Sequence, residues 1–182
     1  MMQLGAAARE STSPALDERI ATLRTLASEA LEEVRSLSHT MHPRVLDDLG
    51  LPAALEWLVR QTGEQSAIDV HVATVELDPP LSPYRAAALY RIAQEAIRNV
   101  LRHSQARHLD VRLRKDGESA VLEIIDDGHG FDVARAEARR PGMGLFSMRE
   151  RVGLVGGSLS VRSAHGDGTV ILATVPLRGA LA

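Results

Sequence analysis

The first hydrophobic pattern along the chain is that of a long helix with one apolar seam. Between positions 16 and 41 the apolar side chains step by alternating fours and threes. This heptad spacing requires a partner helix to cover the seam. The seam consists of Leu16, Ile20, Leu23, Ala27, Ala30, Val34, Leu37 and Met41. We predict a dimerisation helix at 14–42, after a loose polar lead-in at 1–13.

A joint follows this helix. Pro43 ends or bends it, because proline lacks a backbone N–H and disfavours helical geometry in the preceding residue. We therefore begin the main domain, 43–182, at this point. Its first elements are a short helix at 52–62, with Pro52 in the first turn, and a half-buried strand at 68–72, where apolar and polar residues alternate.

The longest helical pattern of the main domain extends from Ser82 to His103 and places one apolar side against a core. That side consists of Leu89, Ala93, Ala96, Ile97 and Val100. Strand patterns then occur around Val111 and Leu113 and at 121–126, 158–163 and 169–177, with a helical pattern at 142–155. This order predicts an α+β fold, an α/β sandwich with helices on one face of the sheet, preceded by the long N-terminal helix.

Composition excludes several classes of function. The net charge of −3 provides no electrostatic reason for binding to nucleic acid or acidic membranes. The absence of cysteine excludes disulfides and thiolate metal sites and fits a reducing cytoplasm, where we expect the chain to reside. No apolar run reaches the roughly 18 residues needed to cross a bilayer, so a membrane sensor would lie outside this chain.

Four segments carry candidate chemistry. In the first, Glu95, Asn99 and His103 recur every four residues and so share one stripe of the central helix. The carboxylate of Glu95 and the amide oxygen of Asn99 suit Mg²⁺, which prefers oxygen ligands and keeps several waters. A solvated polar face explains the same stripe, and taken alone it is the simpler interpretation.

The second segment is DDGHGFD at 126–132, where a strand ends in acid and glycine. Asp126 can accept a hydrogen bond from an adenine amino group, while Gly128 and Gly130 permit close approach of the backbone. An ordinary Asp-Gly turn is the alternative. Because two spaced glycines follow an acid at the end of a strand, we favour the binding-site interpretation over the ordinary turn.

The third and fourth segments are glycine turns. GMGL at 142–145 opens a helix whose backbone N–H groups can face phosphate oxygens. HGDGTV precedes the last strand, where Thr169 offers a hydroxyl. A lone Gly-x-Gly is weak evidence, and a plain hairpin turn explains the fourth segment almost as well.

In this order the four segments resemble the sequence boxes of the ATPase superfamily shared by gyrase B, heat-shock chaperones, mismatch-repair proteins and histidine kinases. Three further stretches narrow the resemblance to sensor histidine kinases of the nitrate-sensor-like subfamily. They are HPRVLDDLGLPAALEWLV at 42–59, IAQEAIRNVLRHSQA and GLFSMRERV. The resemblance covers about residues 16–177. It implies a Bergerat-type two-layer sandwich with a mixed sheet.

The resemblance also implies a role for each site residue. Asn99 would hold Mg²⁺, Glu95 would act as general base or orient the acceptor, and His103 would lie near the phosphates of ATP. Asp126 would bind adenine. The remaining binding residues would be Gly128 and Gly130 along the adenine wall, Gly142, Gly144 and Leu145 at the end of an ATP lid at 132–141, and Thr169 on the adenine side.

One departure from the family pattern concerns the phosphate acceptor. The family places its acceptor histidine before an acidic residue on the first helix of a dimerisation hairpin, and this sequence has no His-Asp or His-Glu pair. The helix at 14–42 resembles the second helix of that hairpin. We therefore expect the acceptor histidine to come from a segment outside this chain, since His39 and His42 lack the local pattern.

The resemblance predicts the catalytic portion of a two-component sensor kinase, with ATP and Mg²⁺ as cofactors. Its expected partners are a response regulator, an acceptor-histidine helix or full-length sensor, and a second copy paired through 16–41. A freestanding serine kinase of the anti-sigma type and a non-catalytic nucleotide-binding module remain alternatives. A dinucleotide-binding fold is disfavoured, because the glycines do not form one Gly-x-Gly-x-x-Gly turn.

Overall fold

The computed structural model describes residues 44–138 and 143–179. The predicted helix at 14–42 and the predicted ligand Gly142 lie outside these residues. The helices are α1 (Arg44–Gln65), α2 (Pro83–Asn99), α3 (Val133–Ala138) and α4 (Met143–Gly153), and the strands are β1 (Asp69–Ala73), β2 (His108–Asp116), β3 (Ser119–Asp126), β4 (Ser158–Ser163) and β5 (Thr169–Pro176).

The five strands form one mixed sheet in the order β1-β2-β3-β5-β4. β1 pairs with β2 in parallel, and the other neighbours are antiparallel. β5 therefore inserts between β3 and β4, although β4 precedes it in the chain. This insertion brings the end of β3 beside the start of β5, where the second and fourth candidate segments meet.

One face of the sheet is apolar and buried, and it carries the core. Across β2, β3 and β5 the inward positions pair in register, as in Val111 with Ile124 and Ile124 with Ile171. The opposite face carries charged side chains such as Arg112 and Glu123, which form a 3.7 Å ion pair. This alternation confirms the predicted two-layer arrangement, because only one face of the sheet needs a cover.

Helices α1, α2 and α4 supply that cover. α2 packs on α1, on α4 and on strands β3 and β5. In addition, α1 packs on β1, and α4 packs on β4. All five residues predicted for the apolar side of the central helix are buried. None of the helices in the described ranges is long and apolar enough to cross a membrane.

Two helices differ from the sequence prediction. α1 contains the predicted helix at 52–62 but also an unpredicted helical segment from Arg44 before it, and a kink at Gly50, with φ of 79°, separates the two parts ahead of Pro52. Glycine reaches this positive φ without the steric cost of a Cβ atom, so the joint predicted near 42–50 lies at Gly50. The short helix α3, within the segment predicted as a lid, was not foreseen.

Candidate functional site

The last turn of the central helix is a π-helical segment, Val100–Ser104, that directly continues α2. The Ser104 hydroxyl donates to the Val100 carbonyl at 2.8 Å and accepts the Ala106 N–H at 3.0 Å. Gln105 then adopts a left-handed conformation with φ of 54°. Such π turns inside helices often mark functional sites. Here the wider turn ends the helix beside the candidate pocket and redirects the chain into β2.

The polar stripe of α2 lies against the start of α4. A Cβ atom added to Gly144 would lie 2.7 Å from Glu95 Oε1 and 3.4 Å from Asn99 Nδ2. Any larger residue at position 144 would therefore displace these side chains. Glu95 is also paired with Arg98, at 3.4 Å between Oε2 and Nη1.

Asp126 ends β3 on the opposite wall. Its register partner on β5 is Thr169, so the two side chains lie side by side on adjacent strands. Asp126 is 7% exposed, and its Oδ1 accepts the Gly128 N–H at 2.9 Å. Burial raises the pKa of the Asp126 carboxyl, while the hydrogen bonds from Gly128 and Thr169 oppose the shift. A buried carboxylate with acceptor capacity left over suits a donor on a ligand.

The glycines after Asp126 fill positions with no room for a side chain. A Cβ atom at Gly128 would collide with the carbonyl oxygen of Ser104. Gly130 has φ of 61°, and a Cβ there would collide with the carbonyl oxygen of Ala164. Two backbone hydrogen bonds at His129 hold this loop to the segments on either side of it. The His129 N–H donates to the Ser104 carbonyl at 2.8 Å, and the His129 carbonyl accepts the Gly166 N–H at 2.8 Å.

Asp127 points away from the pocket and holds the start of β2. Its Oδ1 accepts the backbone N–H groups of Arg107 and His108, at 2.7 and 2.8 Å, and its Oδ2 lies 2.7 Å from His108 Nδ1. The hydrogen bond from the His108 side chain, followed by the backbone bonds, lowers the pKa of the Asp127 carboxyl to about 2. The same pairing raises the pKa of His108. This second aspartate is therefore a structural anchor of the turn.

A cavity of about 690 Å³ joins the two walls. Seven of the predicted site residues line it: Asn99, His103, Asp126, Gly130, Gly144, Leu145 and Thr169. Glu95 and Gly128 are not part of its lining; they lie behind it, against Gly144 and against Ser104 and Asp126 respectively. The volume falls within the range of small-molecule and cofactor pockets.

Several lining residues were missed by sequence reasoning. They are Ser104, His129, Phe131, Ala136, Phe146 and Arg149, together with the aliphatic Ala96, Val100, Ile124 and Ile171. The strand alternation of Ile124 and Ile171 signals burial, but it does not distinguish a pocket from a closed core. Phe146 and Arg149 share one helix face by their spacing, and only the packing of α4 turns that face toward the cavity.

The side chains beside the cavity suit a magnesium ion that is held partly by phosphate oxygens of a ligand, rather than one held by protein ligands alone. Within 44–138 and 143–179, no group of three or more His, Cys, Asp or Glu side chains could hold a metal ion. Glu95 nevertheless brings a carboxylate oxygen against Gly144, and Asn99, whose side chain carries an amide oxygen, lines the cavity beside it. Mg²⁺ commonly takes one or two protein oxygens and completes its shell with water and substrate phosphates. These residues fit that mode.

Comparison with known families agrees with this geometry. The family described as histidine kinase-, DNA gyrase B-, and HSP90-like ATPase matches residues 84–179, which contain the whole cavity lining. The chain belongs to this ATPase family. A second family, described as histidine kinase, matches residues 1–46. The resemblance inferred from the four segments is thereby confirmed.

Within the family, the chain is similar to sensor kinases. Sensor histidine kinase MctS of Rhizobium johnstonii is 40% identical over 148 residues, which cover 81% of this chain and 32% of that protein. Signal transduction histidine-protein kinase/phosphatase DegS of Brevibacillus brevis is 31% identical over 160 residues, 88% of this chain and 41% of that one. The chain thus spans about a third to two fifths of these relatives.

Solved structures show the same fold. The histidine kinase domain of the blue-light activated histidine kinase of Erythrobacter litoralis EL346 aligns with a TM-score of 0.65 at 19% identity, covering 97% of this chain and 91% of that chain. Histidine kinase AdeS of Acinetobacter baumannii aligns with a TM-score of 0.61 at 13% identity, covering 98% and 92%. At these identities the likeness concerns the fold alone.

Proposed function

We propose that this chain is the catalytic portion of a two-component sensor histidine kinase that binds Mg-ATP in the 690 Å³ cavity. It transfers the γ-phosphoryl group to a histidine supplied by another segment, from which the group passes to a response-regulator aspartate. The supporting observation is that Asn99, on the helix wall, and Asp126, on the sheet wall, line one cavity. A single nucleotide can therefore contact both.

The proposed binding mode assigns one part of ATP to each wall. Asp126 accepts a hydrogen bond from the adenine amino group, and Thr169 closes the same side from β5. Gly128 and Gly130 keep that wall free of side chains, so the base can approach the backbone. Support comes from the burial of Asp126 and from the collisions that a Cβ would produce at either glycine.

The phosphates lie toward the helix wall. Asn99 holds Mg²⁺, which neutralises charge on the phosphate oxygens, and His103 lies beside the phosphates. Gly142, Gly144 and Leu145 end a lid at 132–141, and the N-terminus of α4 faces the anionic end of the nucleotide. Support comes from the close approach of Gly144 to the polar stripe.

In the chemical step, an acceptor imidazole attacks the γ-phosphorus in line, the bond to the β,γ-bridging oxygen breaks, and ADP leaves. Glu95 takes the imidazole proton or orients the ring. Phosphoryl transfer asks little covalent chemistry of the protein, so positioning and charge neutralisation carry most of the catalysis. The partners are an acceptor-histidine helix or full-length sensor, a response regulator and a second copy paired through 16–41.

The deciding experiment incubates the chain with labelled ATP and Mg²⁺, with and without a separate acceptor-histidine helix. We expect acid-labile label on the acceptor helix and none on this chain. Acid-stable label would instead indicate a serine kinase, and nucleotide binding without transfer would indicate a non-catalytic module. Label on this chain alone would overturn the expectation that the acceptor is absent from it.

Asn99→Ala tests the metal assignment in the same assay. Loss of one ion ligand should weaken Mg-ATP binding and transfer by at least about tenfold. Gln65→Ala, which removes an exposed side chain at the end of α1, is the matched control and should behave as the parent. Equal Mg-ATP affinity and equal transfer in Asn99→Ala and the parent would refute the assignment.

A further inference from the structure

Three polar side chains form a row across the sheet at the edge of the cavity. Thr169, the first residue of β5, pairs with Asp126 of β3 on one side and with Ser163 of β4 on the other. Register partners point to the same face of a sheet, so the three side chains of this polar row lie next to one another. Asp126 and Thr169 line the cavity, whereas Ser163 is partly buried and is not part of its lining.

The Ser163 hydroxyl lies within hydrogen-bond distance of three neighbouring groups. It accepts the Phe131 N–H at 2.9 Å and donates to the Gly168 carbonyl at 2.7 Å. Its oxygen also lies 3.2 Å from Thr169 Oγ1. A hydroxyl has one proton, and the Gly168 carbonyl can only accept, so Thr169 is the group that can donate across this last contact. Ser163 therefore provides an acceptor for the Thr169 hydroxyl.

The second acceptor for the Thr169 proton is Asp126. Thr169 also hydrogen-bonds to the Asp126 side chain. An ionised carboxylate carries no proton and can only accept, so Thr169 is the donor here as well. The single threonine proton is thus shared between two acceptors on opposite sides of β5. Removing the Ser163 hydroxyl would leave Asp126 as its only acceptor within the polar row.

The contact with Ser163 also affects how the Thr169 side chain is turned. The hydroxyl and the methyl group of threonine are similar in size, so packing alone discriminates weakly between rotamers that exchange them. A hydrogen-bond partner on β4 favours the rotamer that keeps the oxygen in the polar row. Because Thr169 lines the cavity, the choice of rotamer sets the polarity of the cavity wall beside Asp126.

The other two groups bound by Ser163 belong to segments that form the cavity. Phe131 follows the glycine turn after β3 and lines the cavity. Gly168 packs directly against the end of β3, where an added Cβ atom would collide with the Asp126 carbonyl oxygen. One hydroxyl on β4 thus joins the turn after β3 and the turn before β5 to the polar row.

We propose that Ser163 is a positioning residue for the adenine wall: its hydroxyl holds the Thr169 hydroxyl in the polar row beside Asp126, and thereby favours ligands whose base carries an amino group at this point. The inference rests on the proposed function, which places the adenine amino group against Asp126. Ser163 does not contact the nucleotide in this arrangement; it acts through Thr169.

The test compares the affinities of two nucleotides by titration calorimetry. Mg-ATP carries the adenine amino group, and the Mg²⁺ complex of purine riboside triphosphate lacks only that group. We expect Ser163→Ala to raise the dissociation constant of Mg-ATP about three- to tenfold, within the range of one neutral hydrogen bond, and that of the analogue less than about twofold. Ser163→Thr keeps the hydroxyl and should restore the affinity for Mg-ATP. An equal loss for both nucleotides would indicate a general loosening of the site and would overturn the proposal.

A double-mutant cycle identifies the residue through which Ser163 acts. Thr169→Val replaces the hydroxyl with a methyl group of similar size, so adding Ser163→Ala to it should cause no further loss of Mg-ATP affinity. A loss that persists undiminished in the Thr169→Val background would contradict the positioning role. Ser160→Ala is the matched control, because it removes an exposed hydroxyl from the opposite face of β4. It should bind both nucleotides as the parent does.

A second variant covers the case in which Ser163→Ala does not fold. Ser163→Cys keeps a side chain of similar shape but substitutes a thiol, which is a weak donor and a weak acceptor, and it should show the same selective loss of Mg-ATP affinity. Unchanged Mg-ATP affinity in the folded variant, or a Ser163→Thr variant that binds no better than Ser163→Ala, would overturn the proposal. A parent that binds neither nucleotide would instead overturn the proposed function itself.

Discussion

Two adjacent aspartates at the end of β3, Asp126 and Asp127, allow the effect of a substitution on ATP affinity to be distinguished from its effect on stability. Asp126 is 7% exposed and lines the cavity, whereas the side chain of Asp127 is 45% exposed and anchors the start of β2. Replacing either with asparagine preserves its shape and removes its charge. We expect one variant to lose ATP affinity and keep its stability, and the other to lose stability and keep its ATP affinity.

Asp126→Asn should lose ATP affinity without losing stability. A hydrogen bond to a charged group contributes roughly 1.5–3 kcal/mol, so the dissociation constant for ATP should rise by about 10- to 150-fold. The folded protein holds the proton on Asp126 more tightly than the unfolded chain does, because burial raises its pKa. The ionised carboxylate therefore costs stability at neutral pH, and neutral asparagine should leave the melting temperature equal or higher.

Asp127→Asn should lose stability without losing ATP affinity. The pKa of Asp127 is lowered to about 2, so its contribution to stability is present above the unfolded pKa and disappears as the pH falls through about 2. A shift of this size corresponds to somewhat over 2 kcal/mol, and solvent screening of an exposed pair reduces the expected loss to about 1 kcal/mol. The melting temperature should fall by about 3 °C.

Both quantities are measured on the same preparations. Thermal unfolding followed by circular dichroism at neutral pH without nucleotide provides the melting temperatures, and titration calorimetry with Mg-ATP provides the affinities. The reasoning fails if Asp126→Asn binds ATP as tightly as the parent. It also fails if both variants lose the same affinity, since that would mean the turn as a whole and not the buried carboxylate recognises the ligand.

Three further predictions concern the frame of the site. Gly130→Ala places a Cβ at positive φ against the Ala164 carbonyl and should lower the free energy of unfolding by at least about 2 kcal/mol in urea titrations. Ser104→Ala leaves a buried backbone N–H without its acceptor and should lower it by about 1–3 kcal/mol in the same assay; no change would contradict the role of the hydroxyl. The raised pKa of His108 predicts that its pairing with Asp127 stabilises the fold below pH 6.5 and is lost as the pH rises through the folded-state pKa. Between about pH 6 and about pH 8.5 the parent should therefore lose more melting temperature than His108→Gln, and parallel curves would refute this.

The main elements of the described domain were predictable because their signals are local. The apolar side of α2 follows from 3.6-residue spacing, and the paired strands follow from alternation, so their existence and burial agree with the structure. The helical segment at 44–49, ahead of the kink at Gly50, and the helix α3 were not predicted. Both depend on how a short segment packs against its neighbours, which no local period records.

By itself, the sequence determined the order of helices and strands, the apolar faces and the chemical character of the four candidate segments. The tertiary structure decided which of these segments meet. β5 lies between β3 and β4, and this pairing alone brings Thr169 beside Asp126; the packing of α4 on α2 alone brings Gly144 against Glu95. Periodicity reports which side of an element is buried, whereas a site made from separate elements depends on long-range register and packing.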